Sequence, residues 1–149
     1  MSGLYALDTN VYITALRDPE RLGALKRFRV RAGNGLRLHA VVALELRAGA
    51  NDPRQRAALE AFIAPYQSRD RLIVPSFDAY TQAGRVLSDL ATRERRRLAD
   101  GPPSLVNDAL LAASCREAEA ILVTENVRDF AAIQRHLRGF QFRETAAVL

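Results

Sequence analysis

Short apolar runs alternate with helix-period segments along almost the entire chain, and that alternation is the strongest constraint on its fold. Strand-like runs are LYALD (residues 4–8), LRLHA (36–40), RLIVP (71–75), AILVTEN (120–126) and FQF (140–142). Between them lie segments whose apolar residues recur at spacings of three and four, as on one face of a helix. These are NVYITALRD, PERLGALKRFRVRAG, VVALELRAG, DPRQRAALEAFIAPY, SFDAYTQAGRVLSDLATRERRRLAD, SLVNDALLAASCREAEA and VRDFAAIQRHL. The punctuation agrees: Asp52 precedes Pro53, Ser76 stands where an N-cap is needed, and Gly33 and Gly49 follow helical segments. Strand–helix alternation predicts an α/β domain with a mainly parallel central sheet and helices on both faces. The 149 residues fit one domain spanning 1–149. No repeat, linker or low-complexity tract interrupts it.

In such sheets ligands bind beyond the carboxyl ends of the strands. Asp8 closes the first strand, and Thr124-Glu125-Asn126 closes the fourth. Two further acids fall where acids are costly. Asp108 shares a helix face with Leu105, Ala109 and Ala112, and Glu45 shares one with Val41 and Val42. A buried carboxylate must be paired, protonated or metal-bound. Each acid also has a local structural reading. Asp8 can cap the helix that starts at Thr9, Arg47 can pair with Glu45, and Asn126 can cap a helix that Asp129 favours from its first turn. Taken together, acids that converge at one sheet edge repel one another unless cations join them. Oxygen donors select Mg²⁺ or Mn²⁺, and one Cys with two distant His does not suit zinc.

Composition narrows the partners. Lys+Arg of 22 against Asp+Glu of 17 gives a net charge of +5, and Lys26 is the only lysine. Arginine forks suit phosphate oxygens, so nucleic acid is a candidate partner, although genome composition alone can also enrich arginine. The cluster Arg93, Arg95, Arg96 and Arg97 precedes the Asp108 helix and is a candidate RNA contact; a solvated helix end accounts for it equally. There is no apolar run of membrane-spanning length, no secretory signal pattern and a single cysteine, Cys115, so a cytoplasmic location is expected.

The pieces LDTN with Asp8, ALELRAG with Glu45, NDALLAASC with Asp108, and TENVRDF with Asn126 and Asp129 appear in this order, each on its expected element. In this the chain resembles the PIN-domain nucleases, most closely the VapC-type ribonuclease toxins of bacterial toxin–antitoxin pairs. The resemblance covers essentially the whole chain and implies a three-layer α/β/α fold. It implies a metal-dependent endoribonuclease that cleaves RNA with metal-activated water, leaving 5′-phosphate and 3′-hydroxyl ends. Asp8, Glu45 and Asp108 would be the metal-holding acids and Asp129 the fourth catalytic acid, ranked above Glu125. Thr9, Asn10, Thr124 and Asn126 would be supporting groups; the family often has Asp where this chain has Asn126. The resemblance further implies a small antitoxin partner and a homodimer. The rival is a PIN fold that binds RNA or a partner without cutting. Other enzyme classes lack their motifs: no phosphate-binding glycine loop with its lysine and no nucleophile elbow is present. His39 and His136 as a metal-free acid–base pair have no supporting motif.

Overall fold

A computed structural model describes residues 2–95 and 104–149 of the chain. Five strands form one sheet: β1 (Leu4–Leu7), β2 (Leu36–His39), β3 (Leu72–Ile73), β4 (Ala120–Thr124) and β5 (Phe142–Glu144). Their order is β3-β2-β1-β4-β5, and every pair is parallel, with Tyr5 opposite Leu36 and Ile121 on either side. The chain builds outward from β1 to β2 and β3, then returns to lay β4 on the other flank of β1. That reversal opens a crevice beyond the carboxyl ends of β1 and β4.

Among the described residues seven α-helices cover the sheet: α1 (Thr9–Arg17), α2 (Pro19–Ala32), α3 (Ala40–Gly49), α4 (Pro53–Ser68), α5 (Phe77–Arg93), α6 (Leu105–Glu117) and α7 (Val127–Gln134). β4 is packed by both α1 and α6; α1 also touches α2 and α3, and α6 touches α5 and α7. The result is the expected α/β/α sandwich. Side-chain caps satisfy otherwise orphaned amides at helix starts: Asp18 accepts from Glu20 N, Asp52 from Gln55 N and Ser76 from Ala79 N. The core runs through Leu7, Leu38, Leu122, Phe28, Leu90, Leu111 and Phe130, none more than 1 % exposed. In the Gly33–Gly35 turn before β2, a Cβ on Gly35 would lie 2.5 Å from the Gly3 carbonyl oxygen, so only glycine lets these two segments meet.

Four expectations change in detail. Helix α4 continues past Pro65 to Ser68. Pro65 is exposed, so the carbonyl it leaves unbonded one turn earlier can reach water. Strand β3 is only two residues long, because Val74 turns outward, 64 % exposed, ahead of Pro75. The last strand begins at Phe142 rather than Phe140; the Phe140 amide closes a turn onto Leu137, and its ring is buried beside Phe130. Helix α5 ends at Arg93, and Arg95 has a left-handed backbone (φ 56°) that stops it; the segment read as helix beyond residue 95 lies outside the described residues. Among the described residues no helix is long and apolar enough to cross a membrane.

Candidate active site

The acids gather at the carboxyl edge of the sheet. Asp8 follows β1 and caps α1, its Oδ1 accepting from Thr9 N at 2.8 Å. The cap reading and the site reading of Asp8 are therefore compatible, since one oxygen serves each. Oδ2 points toward β4, where it accepts from the Thr124 hydroxyl at 2.7 Å and from Asn10 Nδ2 at 3.2 Å. Thr124 Oγ1 also accepts from the Asn126 amide at 3.0 Å. A directed chain of bonds thus runs from the start of α7 through the end of β4 to the end of β1.

Glu45 reaches the site from α3, half-buried, and accepts from the Thr9 hydroxyl at 3.0 Å. Arg47 does not pair with it; that guanidinium is held by Glu60 at 2.7 Å and 3.0 Å. Asp108 enters from the first turn of α6 and is only 7 % exposed, as Asp8 is only 6 %. Asn126 Nδ2 donates to Asp108 Oδ2 at 3.3 Å and to Asp129 Oδ2 at 3.1 Å. Asn126 occupies the N-cap position of α7 without a side-chain cap bond, its amide being directed at the two acids instead. Glu125 turns away toward Thr14 (2.9 Å) and Arg21 (3.5 Å).

The electrostatics follow from this placement. Burial pushes the Asp108 carboxyl up to about 8, and the charges of Asp8, Asp129 and Glu45 push the same way. Burial also raises Asp8, against the lowering effect of its bonds from Thr124, Thr9 and Asn10. Glu45 is raised by burial and by Asp8, with the Thr9 bond opposing. Among the described residues no arginine or lysine pairs with Asp8, Glu45 or Asp108. The neutral hydroxyls and amides around them do not cancel their charge.

These residues suit a hard divalent cation by chemistry: every donor is oxygen, and the mutual repulsion calls for positive charge. The side chains do not form a closed cage as they stand. Among the described residues no three His, Cys, Asp or Glu groups are drawn together tightly enough to hold an ion. Thr9 bridges Asp8 and Glu45, Asn126 bridges Asp108 and Asp129, and Asn10 and Thr124 hold Asp8.

Elsewhere the sequence-based candidates fare differently. Arg93 makes an exposed contact with Asp89 at 4.0 Å, and Arg96 and Arg97 lie outside the described residues. His39 and His136 each have their own local role. His39 caps α3, its Nδ1 accepting from Val41 N at 3.0 Å, and burial lowers its pKa to about 4. His136 bonds Glu94, which Arg135 also holds. Cys115 is fully buried, and burial together with Asp8 raises its thiol, as fits a packing residue. Thr14 and Arg21, which draw Glu125 away from the acids, carried no sequence signal.

An all-parallel sheet carries acids from the end of β1 and from α3, α6 and α7 beside its switch point. The PIN domain family model matches residues 5–135, and the chain belongs to that family. No curated protein matches it. Among solved structures it is similar to a chain of the DNA-bound VapBC from Salmonella typhimurium, with 17 % identity, TM-score 0.70, and 97 % of this chain and 99 % of that one covered. It is also similar to a chain of VapBC-1 from nontypeable Haemophilus influenzae, at 22 % identity, TM-score 0.70, and 96 % and 98 % coverage. A third is VapBC2 from Rickettsia felis bound to a promoter DNA fragment, at 20 % identity, TM-score 0.64, and 95 % and 98 % coverage. At these identities the likeness is one of fold.

Proposed function

We propose that the chain is a divalent-metal-dependent endoribonuclease, a single-domain toxin of a toxin–antitoxin pair acting in the cytoplasm. The observation that carries this reading is Asp108. In a PIN-family chain it is buried beside Asp8 and Glu45, with its pKa raised to about 8 and, among the described residues, no arginine or lysine paired with it. A carboxyl in that position costs stability unless it serves a ligand.

Asp8, Glu45 and Asp108 would hold Mg²⁺, or Mn²⁺ in its place, and Asp129 supplies the fourth acid. When bound, the ion supplies a water of lowered pKa and offsets charge on the phosphoryl oxygens. Thr124, Asn10 and the Thr9 amide fix the rotamer of Asp8, and the Thr9 hydroxyl fixes Glu45. Asn126 sets the spacing of Asp108 and Asp129 by donating to both. The likeness to chains of VapBC complexes supports a small antitoxin as partner, and the family resemblance supports a homodimer.

Purified protein should cut RNA with Mg²⁺ or Mn²⁺, stop when a chelator is added, and lose cutting on Asp8→Asn or Asp108→Asn with its circular dichroism unchanged. Cutting that resists chelator overturns the reading. A second reading, a PIN fold that binds RNA or a partner without cleaving it, is favoured by one observation. Asn126 occupies acceptor positions on Asp108 and Asp129, and among the described residues no three acids are drawn together. RNA binding with no cleavage under any divalent ion would select it.

A further inference from the structure

The amino edge of the sheet, opposite the acids, carries two clefts of different charge. One, of about 560 Å³ at the starts of β1 and β4, is lined by Arg116 and Arg138 but also by Asp78, Glu117 and Glu119. The other, of about 450 Å³ at the start of β2, is lined by Lys26, Arg29, Arg69 and Arg71 with no carboxylate. Helix C-termini attract cations, which is the ordinary reason for bases in such a place. Helices α2 and α4 both end at this cleft, and each end carries about half a negative charge. Together they offset about one of the four positive charges, leaving an excess of about three.

Only Arg71 is committed to the fold. Its guanidinium donates to the Leu36 carbonyl at 2.7 Å and the Gly33 carbonyl at 3.1 Å, and lies 4.8 Å from the centre of the Tyr66 ring. Lys26, Arg29 and Arg69 are exposed and have no ion pair among the described residues. Arg29 is positioned by the Phe62 ring, 5.4 Å below it. Three unpaired cations around a concave surface with a fixed fourth are a receptor for a polyanion.

We infer that this cleft is a phosphate-holding exosite for the RNA substrate, which Lys26, Arg29 and Arg69 grip at phosphates remote from the bond to be cut. The inference rests on the nuclease reading for its biological meaning. Strand β2 alone separates the two edges by about 10 Å, so an RNA confined to the acids does not reach the cleft and a longer one does. The contacts are to backbone phosphate, and they add affinity and salt dependence without base choice.

The test compares wild type with the triple variant Lys26→Gln, Arg29→Gln, Arg69→Gln, and with the control pair Arg116→Gln, Arg138→Gln. Binding of a single-stranded RNA of about 30 nucleotides is titrated in chelator, so that no cleavage intervenes. Three lost phosphate contacts should flatten the slope of log affinity against log salt by about 2 and weaken binding about tenfold. The control pair should change neither, and cleavage in Mg²⁺ of a dinucleotide, which carries only the phosphodiester to be cut, should stay at the wild-type rate in the triple variant. An unchanged salt slope overturns the exosite, and so does an equal loss on the dinucleotide. Displacement of the long RNA by polyglutamate of matched charge as readily as by unlabelled RNA also overturns it, in favour of an acidic polypeptide ligand. Because binding is read in chelator, failure of the nuclease reading leaves the exosite result intact and distinguishable.

Discussion

At the carboxyl edge of the sheet, Asp8 and Asp108 are buried, hydrogen-bonded by neutral donors and raised in pKa, whereas on the surface Glu94 sits between Arg135 and His136. Glu60 likewise faces Arg47. The surface acids are held below the usual carboxylate range, chiefly by the bond from Arg135 to Glu94 and from Arg47 to Glu60. The chain has ample arginine, yet among the described residues none pairs with Asp8 or Asp108. Pairing is how a fold relaxes a carboxylate, so acids left unpaired in the interior mark the place where folding yields to another purpose.

The sharpest way to break this contrast is to neutralise one acid of each kind. Asp8→Asn or Asp108→Asn should lower RNA cleavage about 10³-fold or more, while Glu94→Gln leaves the rate within about twofold. Single-turnover cleavage in Mg²⁺ checks both. The stability effect should run the opposite way to activity. In chelator at pH 8, Asp108→Asn should stabilise the protein by about 1–3 kcal/mol, because it removes a buried charge that no described arginine or lysine pairs with. That corresponds to a rise of roughly 2–4 °C in Tm for each kcal/mol, read by calorimetry. A variant that is both inactive and less stable would mean that Asp108 serves the fold.

The pH profile separates the acid edge from the buried imidazole at the end of β2. Asp108 titrates near 8 when folded and near 4 when unfolded, so between these values the folded state holds the extra proton and stability falls as pH rises. His39 titrates at about 4 when folded against 6.5 when free, so stability falls as pH drops through that window, by up to about 3 kcal/mol. In chelator, urea midpoints should therefore decline between pH 6.5 and 8 through Asp108. Between about pH 4 and 6.5 the two slopes oppose each other, so Asp108→Asn should flatten the upper limb and expose a fall below pH 6.5, whereas His39→Asn should extend the decline with rising pH down toward pH 4. The smallest effect is expected at the relaxed surface pair: Glu60→Gln should leave both the urea midpoint and cleavage unchanged.

Much of this contrast is legible in one dimension. The apolar run ending in Asp8 and the helical face interrupted by Asp108 both carry their meaning in residue spacing, because strand and helix periods fix which way a side chain points. Glu45 was ambiguous, since Arg47 is close enough in sequence to pair with it; only the position of α4 shows that Glu60 takes that arginine. Asn126 was readable as a cap, and its real engagement with Asp108 and Asp129 depends on α6 and α7 meeting in space. The end strand was misplaced by two residues because Phe140 and Phe142 are equally apolar, and the turn closed by the Phe140 amide on Leu137 decides between them. The charged cleft at the amino edge was not legible at all, as Lys26, Arg29, Arg69 and Arg71 come from two segments that meet only when β2 and β3 pair.

The bond from Thr124 to Asp8 joins residues 116 positions apart, and Asp108 and Asp129 enter from the same late portion of the chain. β1 gains its β4 flank only after that portion has left the ribosome. At about 5–20 residues per second, an emerging chain has Asp8 and Glu45 for several seconds before the remaining acids exist. The acid edge is therefore completed only once the late portion of the chain has emerged, which couples assembly of the site to the end of synthesis.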